Sequence, residues 1–242
     1  MERERIDKML VARGLFDSRA RAQAAILAGC VRVDGRMVEK PSEIIARDVV
    51  IEAHAPHPFV SRGGLKLEAA LAAFGFDPAG CAALDVGAST GGFTDVLLRR
   101  GARRVYAVDV GHDQFHPSLK GDSRVVLMEG TDARALGSHL VIEPVDLVVA
   151  DVSFISLALV LPAALACAGP TACMAVLVKP QFEAGPAHVR KGIVRDPTVR
   201  EAVCARMRGL VTDLGWHVVG LVPSPITGGD GNLEYLLGAR RP

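Results

Sequence analysis

The chain has 242 residues, half of them hydrophobic, enough for a small domain joined to a larger one, which is the division its pattern suggests. The formal net charge is only +1, so overall charge is uninformative about nucleic acid, and a basic surface would have to come from local clustering. Five cysteines (Cys30, Cys81, Cys167, Cys173, Cys204) lack metal-ligand spacing and lie mostly in apolar stretches, which speaks against a zinc site or a disulfide framework and for buried thiols in a reducing cytoplasm.

The start, Met1-Glu-Arg-Glu-Arg5, has acidic residues and no apolar segment of signal-peptide length behind it. Ile6, Met9 and Leu10 recur at helical spacing, and after Ser18, an N-cap residue, Ala22, Ala25, Ile26 and Leu27 do the same. Gly29 ends this second helix. Val31-Arg-Val33 then alternates as a strand into Asp34-Gly35, a strong hairpin signal, and the chain continues through Arg36-Met-Val38, with Val49-Val-Ile51 as a last strand.

With Arg5-Ile-Asp7 at its start, Ser18-Arg-Ala20 opening the second helix and Val31-Arg-Val-Asp-Gly35 in the hairpin, the segment from Glu4 to Glu52 resembles the small RNA-binding domain shared by a small-subunit ribosomal protein, bacterial tyrosyl-tRNA synthetases and pseudouridine synthases. Lys8, Arg13, Arg19, Arg21, Arg32 and Arg36 are the candidates for a phosphate-binding face. As a bare helix surface they would be solvated charges; the helix and hairpin order favours RNA. The expected domain is 1–53.

Two prolines in His54-Ala-Pro-His-Pro-Phe-Val60 break any regular element, so 54–60 reads as a linker and 61–242 as the larger domain. From Ser61 strands alternate with helices: Ala82–Val86, Val105–Asp109, Val125–Met128, Val145–Ala150, Met174–Val178, His217–Val222 and Leu233–Leu237. The expectation is an α/β, Rossmann-like domain with a seven-stranded, mostly parallel sheet, whose last two strands form an antiparallel hairpin at one edge, joined to a small N-terminal α+β domain. The longest apolar run, Ile155 to Gly169, contains Ser156 and Pro162 and falls short of the roughly 20 residues of a membrane span, so it reads as a core helix of a soluble protein.

Asp85-Val-Gly-Ala-Ser-Thr-Gly-Gly92 places a strand-ending acid and a glycine-rich turn before a helix, an arrangement in which backbone amides approach a ligand. Asp109, at the end of the next strand, is placed to accept from ribose hydroxyls, and Asp132 from an adenine amino group, although either acid also suits a helix N-cap. The Walker lysine and serine of a phosphate-cradling NTPase are missing. His112 and His116 have helical metal spacing, but Gly111 and Pro117 flank them and a loop is expected, with no metal site.

Six signatures in chain order carry a more specific resemblance: Ser61-Arg-Gly-Gly-Leu-Lys66, Asp85 to Thr94, Asp151-Val-Ser-Phe-Ile155, Val178-Lys-Pro-Gln-Phe-Glu183, Lys191-Gly-Ile-Val-Arg195 and Gly231-Asn-Leu-Glu-Tyr235. From Ser61 onward the chain is similar to the FtsJ-type ribose 2′-O-methyltransferases, and with the N-terminal domain attached it resembles the TlyA family. The resemblance implies S-adenosylmethionine as cofactor, held by Asp85, Gly87, Ser89, Gly91, Gly92, Phe93, Asp109 and Asp132, and ribosomal RNA or a ribosomal subunit as partner, methylated at a cytidine 2′-hydroxyl. The resemblance also implies large-subunit RNA, because among relatives a short stretch before the first helix goes with that subunit and longer ones also with the small subunit. The linker Pro56-His-Pro-Phe-Val60 departs from the more basic, tryptophan-containing version of relatives.

Lys66, Asp151, Lys179 and Glu234 are the candidate catalytic tetrad. A ribose hydroxyl is a poor nucleophile, so the enzyme must align it in line with the methyl and accept a proton. Lys179, ending a buried strand, is the expected receiver or stabiliser of that proton; Lys66 supplies a neighbouring cation that favours its neutral form, Asp151 orients Lys179, and Glu234 holds the substrate ribose or Lys66. A charge inside apolar sequence is costly unless paired, which makes Lys179 and Glu234 the firmer pair. Glu183 is an alternative for either acid. The rival readings are a membrane-lytic protein, since the family's names also carry a haemolysin label, and a non-catalytic RNA-binding assembly factor. The sequence assigns no oligomeric state.

Overall fold

A computed structural model describes residues 2–228 and 231–242. The chain divides into two compact units, Met1–Pro58 and Phe59–Pro242. Phe59 is buried in the core of the second unit, and the Val60 amide donates to Asp95 at 2.9 Å. The last two residues of the expected linker therefore fold with the second unit.

The first unit runs β1 (Arg3–Arg5), α1 (Ile6–Ala12), α2 (Arg19–Leu27), β2 (Val31–Val33), β3 (Arg36–Met37), β4 (Ile44–Ala46) and β5 (Ile51–Ala53). Ser18 caps α2 by accepting from the Arg21 amide, and Gly29 follows the helix in the left-handed region. Asp34 and Gly35 have φ of 48° and 79°, the positive values that a two-residue hairpin between β2 and β3 requires. Ile6, Leu10, Ala25, Ile26, Val31 and Val38 close the core between the helices and the β3-β2-β5 sheet. Two expectations shift here. The last strand is Ile51–Ala53 rather than Val49–Ile51, because the Val50 amide bonds the Asp34 carboxylate at 2.9 Å instead of joining a ladder. The β1–β4 pair was not foreseen; β1 is Arg-Glu-Arg with no apolar residue, and the pairing joins residues about forty positions apart.

The second unit continues with α3 (Gly63–Phe74), β6 (Ala82–Val86), α4 (Gly92–Arg99), β7 (Arg104–Asp109), α5 (Pro117–Lys120), β8 (Val125–Glu129), β9 (Val145–Ala150), α6 (Leu157–Ala166), β10 (Ala168–Val178), α7 (Pro180–Glu183), α8 (Pro197–Asp213), β11 (His217–Pro223) and β12 (Tyr235–Arg240). The seven strands form one sheet in the order β11-β12-β10-β9-β6-β7-β8, parallel except for β12, which is antiparallel to both neighbours. Alternation along the strands divides the core. Leu84, Val148 and Val176 meet α6 and α8 on one face, whereas Ala83, Leu147, Val149 and Leu177 meet α3 and α4 on the other.

Three strand-end expectations are corrected. The apolar run from Ile155 supplies α6 but ends in β10, which begins at Ala168 rather than Met174. The last strand is Tyr235–Arg240 rather than Leu233–Leu237, so Leu233 is half exposed and Glu234 stands just before the strand instead of inside it. Just before the strand the buried Asn232 side chain bonds a loop at residues 192–194, while the Glu234 carbonyl accepts from the Ser224 amide at 2.9 Å. No described helix is long and apolar enough to cross a membrane.

Candidate active site

The carboxyl ends of β6, β7, β9 and β10 open onto two cavities. One, of about 550 Å³, is lined by Lys66, Gly92, Phe93, Asp151, Lys179 and Glu234 among others. The second, of about 560 Å³, is lined by Asp109, Asp132, Val110, Ile155 and their neighbours. Gly87, Ser89, Asp151, Ser153 and Phe154 border both, so the two spaces meet beside the tetrad.

Between β6 and α4 the glycine positions have no room for side chains. Gly87 has φ of 82°, and a Cβ there would stand 2.9 Å from the Asp151 carbonyl oxygen; a Cβ on Gly92 would collide with the Ser61 hydroxyl. Gly91, also left-handed, precedes α4 as its N-cap. Asp85 is fully buried. Thr94 donates to its Oδ2 at 2.7 Å, its Oδ1 has no hydrogen-bond partner among the described residues, and burial pushes its carboxyl up to about 7, the Thr94 hydroxyl opposing and the nearby Asp151 charge adding. Asp109 accepts the Ser89 amide at 2.8 Å and the Gly111 amide at 2.7 Å, one on each oxygen, and keeps lone pairs for the second cavity. Asp132 caps the short turn at Ala133–Ala135 and pairs with Arg134 at 2.5 Å, which holds its carboxyl down near 2. It lines the cavity while already engaged.

The tetrad assembles from four elements: Lys66 from α3, Asp151 after β9, Lys179 after β10 and Glu234 before β12. Lys66 Nζ lies 2.7 Å from Glu234 Oε2 and 3.5 Å from Asp151 Oδ2. Lys179 Nζ lies 2.5 Å from Asp151 Oδ1, close as a charge pair but off the direction of a hydrogen bond, and donates to Ser153 Oγ at 2.9 Å. The four charges form a line, Lys179–Asp151–Lys66–Glu234, in which each ammonium touches a carboxylate. Asp151 therefore stands between the two lysines, and the Lys66 cation does not contact Lys179 as the sequence pattern suggested. Glu234 holds Lys66, one of its two expected tasks. Glu183 is not a fifth member: it accepts from Ser156 Oγ at 2.7 Å and the Leu157 amide at 2.8 Å and so caps α6. His116 caps α5 and His112 packs on Gly130, in a loop as expected.

Two family models match the chain. The FtsJ-like methyltransferase family matches residues 59–241, and the S4 domain matches residues 4–51. A Mycobacterium tuberculosis protein named 16S/23S rRNA (cytidine-2′-O)-methyltransferase TlyA is 47% identical, over 98% of this chain and 90% of its own length. The chain belongs to the TlyA family. Hemolysin A of Brachyspira hyodysenteriae is 40% identical over 96% of this chain and 98% of its own, and a solved hemolysin structure from Streptococcus thermophilus superposes with a TM-score of 0.78 at 41% identity, covering 100% of this chain and 89% of that one.

Within this TlyA-family chain, several residues around the tetrad carry no assignment from the sequence. Ser153 receives Lys179; Gln181 Nε2 approaches Glu234 Oε1 at 3.4 Å; Asn232 ties down the loop beside the first cavity. Phe154 is 91% exposed at φ of 63°, its ring 5.0 Å from that of Phe182 on the cavity rim. All lie inside the six signature strings, which was the signal available. In the first unit the expected phosphate-binding residues are mostly tied internally. Arg19 bonds the buried Asp7 at 2.9 Å, Arg21 bonds Asp17 at 2.8 Å, Arg36 pairs with Glu43, and Arg13 and Arg32 donate to backbone carbonyls. Lys8 is exposed. A guanidinium has five donors, so one internal bond fixes its direction and leaves the others available.

Proposed function

We propose that this chain methylates the 2′-hydroxyl of a cytidine in ribosomal RNA, with large-subunit RNA among its substrates, using S-adenosylmethionine. The observation that carries the reading is the line of two buried lysines and two carboxylates where the two cavities meet. Buried ammonium groups in a concave site are costly, and their retention beside an open cavity marks chemistry rather than stability.

The residues present suit the cofactor. Asp85 keeps an unmatched buried acceptor, the Gly87–Gly92 turn leaves backbone open to a ligand, and Asp109 and Asp132 put two acceptors in a cavity of the size that encloses a small molecule. Asp85, Gly87, Ser89, Gly91, Gly92 and Phe93 would form its cradle. When bound it supplies an electrophilic methyl group. Lys179 Nζ is assigned to receive or stabilise the proton of the attacking hydroxyl, and Asp151 at 2.5 Å orients it and balances its charge. Glu234 and Asp151 fix Lys66, whose cation keeps both carboxylates in place. The exposed Phe154 and the half-buried Phe182 beside it offer apolar surface for a nucleobase. Lys8, Arg13, Arg19, Arg21, Arg32 and Arg36 are assigned to the phosphate backbone.

Mapping ribose methylation in ribosomal RNA from cells with and without the gene tests the reading and decides between the subunits. Unchanged maps, or a folded protein that takes up no S-adenosylmethionine in calorimetry, would leave the RNA-binding assembly factor or the lytic protein in its place.

A further inference from the structure

Two turns in this protein share one geometry and differ in what occupies it. In the first unit Val33-Asp34-Gly35-Arg36 is a two-residue hairpin with φ of 48° and 79°; in the second, Arg190-Lys191-Gly192-Ile193 has φ of 50° and 76°, with backbone bonds in both directions between Arg190 and Ile193. Aspartate is among the residues that tolerate the left-handed region, through its short polar side chain. Lysine has no such compensation, so Lys191 sits where glycine or asparagine would be the less strained choice.

The second turn is nevertheless held firmly. Asn232, 4% exposed, donates from Nδ2 to the Gly192 carbonyl at 2.8 Å and accepts the Val194 amide on Oδ1, while Arg200 donates to the carbonyls of Val194 and Arg195 at 3.1 and 2.7 Å. Its location is specific. Gly192 and Val189 line the tetrad cavity, as does Asn232 itself. Arg190, Lys191 and Arg195 are exposed, and none pairs with a carboxylate among the described residues, in contrast to the arginines of the first unit. Arg62, exposed and equally without such a pair, lines the same cavity from the start of α3.

We propose that the Arg190–Ile193 turn is a phosphate grip of the catalytic unit: Lys191, with Arg190 beside it, contacts the RNA backbone next to the nucleotide in the cavity, and Asn232 is the internal anchor that keeps the turn at the rim. The assignment rests on RNA being the substrate. A strained lysine at the tip of an anchored turn bordering the reacting groups places a cation where the chain flanking the target must pass, and cations at such a rim with no carboxylate partner among the described residues gain most from phosphate through counterion release.

The test is methylation of ribosomal RNA extracted from cells lacking the gene, by the full chain and by Lys191→Gly, Lys191→Asn and Lys191→Arg, at several salt concentrations. Glycine and asparagine suit the backbone and remove the cation. Both should raise KM for RNA roughly three- to tenfold at moderate salt and reduce the salt slope of log KM by about 0.7 to 0.9, the share of one phosphate contact. The single-turnover rate at saturating RNA and the affinity for S-adenosylmethionine should stay native, and the glycine variant should unfold at the same temperature or higher. Arginine should preserve the slope. Native KM and slope in the glycine and asparagine variants would overturn the grip, and so would a lowered unfolding temperature with an unchanged slope, which would make Lys191 structural. Wild-type protein that methylates no ribosomal RNA would instead remove the underlying function.

Discussion

Each unit buries a charge cluster, and the two are built in opposite senses. Around Asp7 the acid is inside and the cations face out: its side chain is fully buried, while Arg5 and Arg19 at 2.9 Å remain 39% and 51% exposed, with Gln23 donating at 2.8 Å. Around Asp151 the cations are inside, Lys66 and Lys179 being only 10% and 8% exposed and facing a cavity. A buried carboxylate with outward guanidinium groups needs no ligand; it aims arginines at solvent. Buried ammonium groups are affordable only with carboxylates at hand and an open site beside them, and that is where reactivity belongs. Asp85 is a third case, as buried as Asp7 but with one hydroxyl donor and an empty oxygen.

The strongest way to break the contrast is Lys179→Ala. Single-turnover methyl transfer with saturating cofactor should fall by about 10² to 10⁴, the usual share of a proton-transfer group, while RNA and cofactor binding stay near native. Arginine should not rescue it, since it keeps its proton. A near-native rate in the alanine variant would move the proton to Lys66 or to water.

Asp85 and Asp7 predict opposite pH dependence. The folded value of Asp85, about 7, lies above the ordinary 3.8, so its stabilising contribution is complete below about pH 4 and is lost as pH rises towards 7. Asp85→Asn removes that loss and should exceed wild type by up to about 4 kcal/mol in denaturant unfolding at pH 8, while binding S-adenosylmethionine more weakly. Parallel stability curves for the two proteins from pH 4 to 8 would show that Asp85 does not titrate there. Asp7 is held well below its ordinary value by Arg5 first, then by Arg19 and Gln23, so its contribution is present above about pH 4 and disappears only in stronger acid. Asp7→Ala should cost the first unit about 2–3 kcal/mol at neutral pH, from lost charge-assisted hydrogen bonds, and should also weaken RNA binding by releasing Arg5 and Arg19. Hydrogen exchange resolves the two units; equal protection of the first unit in variant and wild type would show the cluster to be energetically idle. The smallest effect is that of Lys191→Gly, a several-fold change in KM.

What could be read from the sequence is what short-range chemistry determines. The Asp34-Gly35 hairpin, the Ser18 cap, the strand-turn-helix at Asp85–Gly92 and the edge hairpin of β11 and β12 each depend on neighbouring residues, whose allowed dihedrals and apolar period are visible in the letters. Lys179 and Glu234 stood out as candidates for a related reason, since a lysine or glutamate amid apolar residues requires a partner somewhere.

Which partner it takes was decided by the tertiary structure alone. Lys66 and Glu234 are 168 residues apart, and only the antiparallel insertion of β12 beside β10 brings the end of one loop over α3. The same holds for Asp151 standing between the lysines, for Arg19 bound to Asp7, and for Asn232 bonded to the Gly192 carbonyl. Periodicity specifies which face of an element is buried; it contains no information on which buried charge from a distant element will be opposite, because that depends on strand order and loop path rather than on local conformational preference.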